Sequence, residues 1–165
     1  MAARKKKDKK PPPGPALKVV ARNRRARFDY HLEEEVEAGI SLLGTEVKSL
    51  REGRASLEQA WCRVQDGEVF LVGANIPAYG AASWSNHEPT RTRKLLLHRR
   101  QIRRITQALR QEGRTLVPVR IYFNEAGRVK VLIALATGKK RHDKRESIAR
   151  REAAREIQRA LKHRR

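Results

Sequence analysis

The chain has 165 residues, enough for one domain with tails, and carries a formal net charge of +21. An excess of this size points to a polyanionic partner, most simply nucleic acid. The single cysteine, Cys62, excludes an intrachain disulfide and a Cys-x-x-Cys metal site. The charge is concentrated at the ends, because residues 1–27 hold 11 Lys and Arg against one acid, whereas residues 28–136 hold 16 against 13.

Nothing in the sequence favours catalysis. The five histidines lack metal-ligand spacing, and no phosphate-binding loop or dinucleotide fingerprint occurs. We therefore predict a protein that is not an enzyme, with no catalytic residues, no metal and no cofactor. The longest apolar run, residues 131–136, is too short to cross a membrane, and "PPPGP" follows the N-terminal charges in place of an apolar signal segment. A cytoplasmic location without membrane association is expected.

Residues 1–20 are predicted to form a disordered, basic, proline-rich arm that precedes an RNA-binding β-barrel domain over residues 21–136. From Phe28 onward apolar and polar residues alternate for about fifteen positions, which predicts a long first strand. Gly39, near its middle, would allow a bulge or a bend. A long strand that bends in this way is typical of a small closed barrel.

The rest of the domain alternates between helical and hairpin signals. "GTEVKSLREG" predicts a helix of about two turns, and "HRRQIRRITQALRQEG" predicts a second one. Asp66 and Gly67 mark one hairpin, and "LVPVRIYFNEAGRVKVLIAL" predicts another. We therefore predict a mainly β fold, a small antiparallel barrel of about six strands with two short helices.

Residues 137–165 form a basic tail with a weak helical stripe. Isolated helices of this composition are marginal in water, so we predict a helix that forms only on a partner. The apolar positions of the stripe are Ala149, Ala153, Ile157, Ala160 and Leu161.

Within the domain, charge is uneven again. Residues 91–110, here called the basic segment, hold eight Lys and Arg and no acid. Arg99 and Arg100 lie in the first turn of the second helix, where the helix dipole disfavours cations and bound phosphates would compensate. The alternative is a solvated helix face. Since only eight aromatic residues occur in the chain, recognition of folded RNA by shape and phosphates fits better than stacking on many single-stranded bases.

Several stretches resemble the SsrA-binding protein (small protein B) family. They are "NRRARFDYHLEEEVEAGISLLGTEVKSLREG", "NHEPTRTRKLLLHRRQI", "LVPVRIYF" and "ALATGKKRHDKRESI". The resemblance implies an oligonucleotide-binding-fold barrel that binds the tRNA-like domain of transfer-messenger RNA and delivers it to stalled ribosomes for trans-translation. It also implies that the tail becomes helical in the small-subunit decoding centre and messenger channel. No catalysis by the protein is implied.

The resemblance also assigns residues. Glu37, Leu96 and His98 receive the RNA-binding role, with Arg93 and Lys94 supporting phosphate contacts; Leu96 as core and Glu37 as a structural ion pair remain alternatives. Further basic residues assigned to the RNA-binding surface are Arg24, Arg25, Arg91, Arg99 and Arg100. The ribosome-binding tail residues are Gly138, Lys139, Lys140, His142, Asp143, Lys144, Arg145, Ile157 and Leu161.

We expect a monomer. The competing hypothesis is a basic ribosomal or ribosome-assembly protein that binds structured ribosomal RNA. Composition does not separate the two hypotheses, whereas the quoted motifs favour the first.

Overall fold

The computed structural model describes residues 18–80 and 86–163. Most of the predicted arm, residues 1–17, lies outside this part of the chain. Four helices are present: α1 (Arg24–Asp29), α2 (Gly44–Arg51), α3 (Arg99–Leu109) and α4 (Arg141–His163). The seven strands are β1 (Lys18–Arg22), β2 (Tyr30–Ile40), β3 (Trp61–Gln65), β4 (Glu68–Val72), β5 (Arg93–Leu96), β6 (Arg114–Phe123) and β7 (Val129–Gly138).

Six of the strands form a closed antiparallel ring in the order β6-β3-β4-β5-β2-β7, because β7 pairs back onto β6. The pairing between β3 and β6 is the shortest in the ring, with one residue pair, Cys62 and Leu116. The other half of the same β6 edge, Arg120–Phe123, pairs with β1. The mainly β, antiparallel prediction is confirmed, although the ring is less regular than a simple barrel.

Strand β2 changes face at a bulge. The register with β7 shifts between Leu32 and Glu35, so an extra residue is accommodated there. As a result, Val36 packs against the core inside the ring, whereas Leu32 packs against a second cluster outside it. The predicted break at Gly39 is wrong, because the bulge lies nearer the start of the strand. Gly39 has a different role, described with the functional site.

The second cluster exists because helix α1 covers the outer face of β6 and β7. Asn23 starts this helix by accepting a hydrogen bond from the Ala26 N–H at 3.0 Å. The same side chain donates to the Pro118 carbonyl at 3.0 Å, which ties the helix to β6. Ala26 is buried beneath the helix with Val119 of β6. Strands β6 and β7 are therefore covered on both faces, which explains the unbroken apolar run at residues 131–136.

Helices α2 and α3 contribute to the main core. Leu50 of α2 is fully buried in it and Ile105 of α3 is 1% exposed. The two predicted short helices are thus present at the expected places. Helix α1 and strand β1 were not predicted, so the folded domain begins at Lys18 rather than at residue 21. At the other end β7 runs to Gly138, two residues beyond the predicted boundary.

Helix α4 extends the tail as 23 residues of continuous helix. Its described contacts with the domain lie in its first half, where Asp143 lies 3.5 Å from His31 and Arg151 stacks over the ring of Phe28 at 5.8 Å. From Ile148 to Leu161 every residue is exposed. That the helix forms only on a partner stays a prediction. Among the described helices, none combines the length and apolarity that a membrane span requires.

Candidate nucleic-acid interface

Glu37, Leu96 and His98, which the sequence assigned to RNA, line a single groove of about 620 Å³ between β2 and the start of α3. We call it the first groove. β5 pairs with the end of β2 through Gly39–Leu96 and Ile40–Leu95, which places these elements side by side. The lining is completed by Glu34, Glu35, Val36, Gly39, Leu97, Gln101, Arg104, Ile105 and Lys130.

Leu96 is a surface residue. Its side chain is 52% exposed, whereas its neighbour Leu95 is 1% exposed and belongs to the core. Gly39 allows this placement, because a Cβ there would come within 3.2 Å of the Leu96 Cβ. The alternative assignment of Leu96 to the core is therefore wrong. An exposed leucine at the rim of a groove suits contact with an apolar partner surface, such as the face of a base.

Glu37 has structural partners and a solvent-facing side. Its carboxylate accepts a hydrogen bond from the hydroxyl of Tyr122 and lies 3.6 Å from Lys130 Nζ. Its side chain nevertheless remains 49% exposed. Burial, and then the Glu37 carboxylate, raise the pKa of Tyr122 to about 12, so the phenol stays protonated as the donor. Glu37 is thus held in place and still has acceptor capacity toward the groove.

The other carboxylates of the first groove are also paired. Glu34 lies 3.1 Å from Arg104 Nη2 of α3, and Glu35 lies 3.7 Å from Arg27 Nη2 of α1. With Glu37, these carboxylates of β2 form a row of ion pairs with residues of α1, α3 and β7. Because these pairs neutralise the groove, it is suited to hydrogen-bonding RNA groups more than to phosphates.

Arg93 corrects the sequence assignment. Its guanidinium is fully buried, 2.8 Å from Glu46 Oε1, and it donates to the carbonyls of Ala74, Arg91 and Pro89. It has no access to an RNA phosphate, so the prediction of an RNA contact at Arg93 is wrong. Its role is to hold β5 and the loop before it against α2.

Arg91 joins the same network. Its Nε and Nη2 donate to the two oxygens of Glu46 at 2.7 and 2.5 Å. The Leu43 N–H also donates to this carboxylate, at 2.7 Å. Burial alone would raise the pKa of Glu46, but the hydrogen bonds from Arg91, Leu43 and Arg93 outweigh it and hold the pKa below its ordinary value. Arg91 is therefore tied to Glu46 while its side chain stays 27% exposed, and its assignment to the RNA-binding surface remains a proposal.

Lys94, next to Arg93, points to the opposite side of β5. Its ammonium lies 2.5 Å from Glu68 of β4, and both side chains are 43% exposed. This surface pair leaves Lys94 accessible to RNA. Its assignment remains a proposal.

The free positive charge of the basic segment lies on α3. Arg104 is paired with Glu34, but within the described residues no carboxylate pairs with Arg99, Arg100, Arg103 or Arg110. The first turn of α3 contains no acidic residue. The helix starts at His98, whose backbone N–H donates to the Gln101 side chain at 2.9 Å. His98 lines the first groove, whereas Arg99, Arg103 and Arg110 line a separate depression on another face of α3.

Arg24 and Arg25 lie apart from the first groove, on α1. Both are exposed, and Arg25 lies 3.7 Å from Asp29 in the next turn. They line a separate depression with β1 and residues 55–58. The structure therefore does not bring them together with Glu37, Leu96 and His98.

The tail residues begin at the end of β7. Gly138 ends the strand, and the Lys139 N–H donates to the Asp29 carbonyl at 2.9 Å. The Lys140 N–H donates to Asp143 at 3.2 Å, which starts α4. The side chains of His142 and Lys144 lie outside the described part of the structure. Arg145, Ile157 and Leu161 are exposed along α4.

Sequence reasoning missed Lys130, which lines the first groove, and Tyr122, which donates a hydrogen bond to Glu37. Lys130 and Tyr122 belong to the second predicted hairpin, and their parity along the strands was the available signal that they share a side with Glu37. Residue spacing did not predict the strand pairing that places these residues next to β2. In the described residues, no group of three or more His, Cys, Asp and Glu side chains is arranged to hold a metal ion.

The SmpB protein family profile matches residues 20–163 of the chain. The SsrA-binding protein of Thermobifida fusca (strain YX) is 54% identical over 165 residues, which covers 100% of both chains. That of Nitrobacter hamburgensis is 54% identical over 149 residues, 90% of this chain and 95% of the relative.

A solved structure supports the same relationship. It is described as "tmRNA-SmpB: a journey to the center of the bacterial ribosome" and superposes with a TM-score of 0.62 at 48% identity, covering 77% of this chain and 92% of the other. These relatives are named for binding, in keeping with a non-enzymatic protein. With a family match over nearly its whole length and relatives above half identity, this chain belongs to the SmpB protein family.

Proposed function

We propose that this protein binds the tRNA-like domain of transfer-messenger RNA and delivers it to stalled ribosomes for trans-translation. The observation that carries the proposal is the first groove, which gathers Glu37, Leu96 and His98 at the start of α3, the helix that also carries the unpaired arginines. The names of the relatives at 54% identity support the RNA partner.

The two parts of this surface suit different RNA groups. Carboxylates repel phosphates but accept hydrogen bonds from base N–H groups and ribose 2′-hydroxyls, which RNA loops expose. Glu37 and His98 would therefore read such groups, while Leu96 contacts a base face. The arginines of α3 would hold the neighbouring phosphates and supply most of the salt-dependent affinity.

The tail would act on the ribosome. Helix α4 presents Ile157 and Leu161, which are 63% and 64% exposed, between basic residues. A basic helix with an uncovered apolar stripe suits a channel lined by RNA and protein, such as the decoding centre and messenger channel of the small subunit. The division that we propose is an RNA-binding domain, predicted over residues 21–136 and extended by the structure to Lys18 and Gly138, followed by a ribosome-binding tail. The protein would work as a monomer, in the cytoplasm.

Specific binding is the first test. The full-length chain is titrated with the tRNA-like domain and with a generic hairpin of equal length at about 150 mM salt, where counterion release alone does not distinguish sequences. We expect clear preference for the tRNA-like domain. Equal affinities would overturn the proposal and favour a general basic ribosomal protein.

The tail is tested by deleting residues 138–165. The truncated protein should keep most of its specific RNA affinity and lose tagging on stalled ribosomes, since the second half of α4, residues 152–161, is exposed. A collapse of specific RNA affinity on truncation would contradict the assignment of the tail to the ribosome.

A further inference from the structure

Leu96 stands between two grooves. On the side away from Glu37 lies a second groove of about 460 Å³, formed by the end of β2, helix α2 and the turn between β6 and β7. Gly39, Leu96 and Lys130 line both grooves, so the two are adjacent. The remaining lining of the second groove is Ile40, Leu42, Val47, Gly127, Arg128 and Val129.

The chemistry of the second groove differs from that of the first. Three glutamates line the first groove, whereas the second has no acidic residue in its lining. Its floor is aliphatic, and Leu43 beside it is 51% exposed. Arg128 is exposed, and within the described residues no carboxylate pairs with it. An aliphatic floor beside an unpaired cation is complementary to a group with an apolar face and a negative charge.

We propose that the second groove takes an unpaired nucleobase of the same RNA, with Arg128 on the adjoining phosphate and Leu96 as a wedge between two nucleotides. This rests on the proposed function. The aliphatic side chains cover the face of the base, and bases splayed out of RNA loops present such faces. The position next to the first groove, together with Arg128 and Lys130 and the absence of lining acids, favours RNA over an apolar protein segment.

The affinity test uses two variants and a control. Val47→Glu places a carboxylate on the floor, and we expect about a tenfold or greater loss of affinity for the tRNA-like domain. Arg128→Ala removes the phosphate contact, with a loss of about threefold to tenfold and a shallower salt dependence. Arg63→Ala, an exposed arginine of β3 outside both grooves, should bind as wild type.

Arg128 is exposed in the turn between β6 and β7, so Arg128→Ala should fold. This variant keeps the test valid if Val47→Glu fails to fold. Wild-type affinity in a folded Val47→Glu or in Arg128→Ala would overturn this proposal while the preference for the tRNA-like domain stands. If wild type itself shows no preference, it is the proposed function that fails.

Cross-linking locates the occupant. Leu43→Cys carrying a photoreactive aryl azide is bound to the tRNA-like domain, and the linked nucleotides are mapped. Cys62 does not compete, because it is buried and burial raises its pKa. We expect links confined to one or two unpaired nucleotides. Links to base-paired nucleotides, or none despite wild-type affinity, would contradict the proposal.

Discussion

The two halves of the basic segment differ in whether their cations are paired with carboxylates. In the strand half, residues 91–96, Arg91 and Arg93 are held by Glu46 and Lys94 is held by Glu68. In the helix half, residues 99–110, one of the five arginines pairs with a carboxylate among the described residues. The sequence shows one continuous run of positive charge, but the fold pairs every cation of the first half with a carboxylate and leaves most of the second half without such a partner among the described residues.

This difference shows that a charge becomes available for binding only if the fold leaves it unpaired. Strand alternation decides the outcome on β5, where Leu95 must face the core. Arg93, two residues earlier, then also faces inward, and Leu96 faces out. The buried arginine and the exposed leucine are thus consequences of the same register.

The largest expected effect is a difference in unfolding free energy between changes at two neighbouring residues of β5, the buried Arg93 and the half-exposed Lys94. Arg93→Ala leaves Glu46 buried with fewer partners, so the free energy of unfolding should fall by about 3 kcal/mol. Lys94→Ala, its neighbour in a half-exposed pair, should cost below about 1 kcal/mol. Urea unfolding of both variants gives the comparison. Equal costs would contradict the division between a buried and an exposed side of the strand.

The helix half should behave in the opposite way. The triple change of Arg99, Arg103 and Arg110 to Ala should leave the free energy of unfolding within about 0.5 kcal/mol of wild type. Binding to specific and generic RNA should weaken alike, and the slope of log affinity against log salt should fall by about two. Arg54→Ala, paired with Glu52 outside the segment, is the control. An unchanged slope would show that α3 does not meet phosphates.

A smaller effect is expected from the hydrogen bond by which Tyr122 holds Glu37 at the first groove. Tyr122→Phe removes the hydrogen bond to Glu37 at a cost of about 1 kcal/mol in stability. Specific RNA affinity should fall a few-fold while generic affinity stays the same, since the freed carboxylate loses its orientation. Unchanged specific affinity in this variant would mean that Glu37 does not need the hydrogen bond from Tyr122.

The same pair predicts a pH dependence. The pKa of Tyr122 is raised in the folded state from 10.0 to about 12, so the folded state binds this proton more tightly than the unfolded state. The resulting stability is complete below pH 10 and is lost as pH rises toward 12. Unfolding measured across this range should show a steeper loss in wild type than in Tyr122→Phe.

Much of the fold was predictable because its signals are local. Alternation gave β2, the Asp66–Gly67 pair gave the first hairpin, and spacing gave α2 and α3. Strand β1 was missed because "KVVAR" is short and its pairing with β6 is distant in sequence. The bulge in β2 was misplaced, since the outer cluster under α1 that requires it had not been foreseen.

The sequence predicted which residues line the first groove better than it predicted which side chains they pair with. Motif resemblance assigned Glu37, Leu96 and His98, which the fold brings into one groove. The same resemblance wrongly assigned Arg93 to phosphate contacts, because its partner Glu46 is 47 residues away and only the fold brings the two together. Sequence spacing carries no information on such pairing.

The most direct test of the account concerns Leu96, the exposed residue shared by both grooves. Leu96→Ala in the full-length chain is titrated with the tRNA-like domain, and its thermal unfolding is followed in parallel. We predict at least about a tenfold loss of specific affinity with an unfolding free energy within about 0.5 kcal/mol of wild type. Wild-type affinity, or a large loss of stability, would contradict a binding surface at this position.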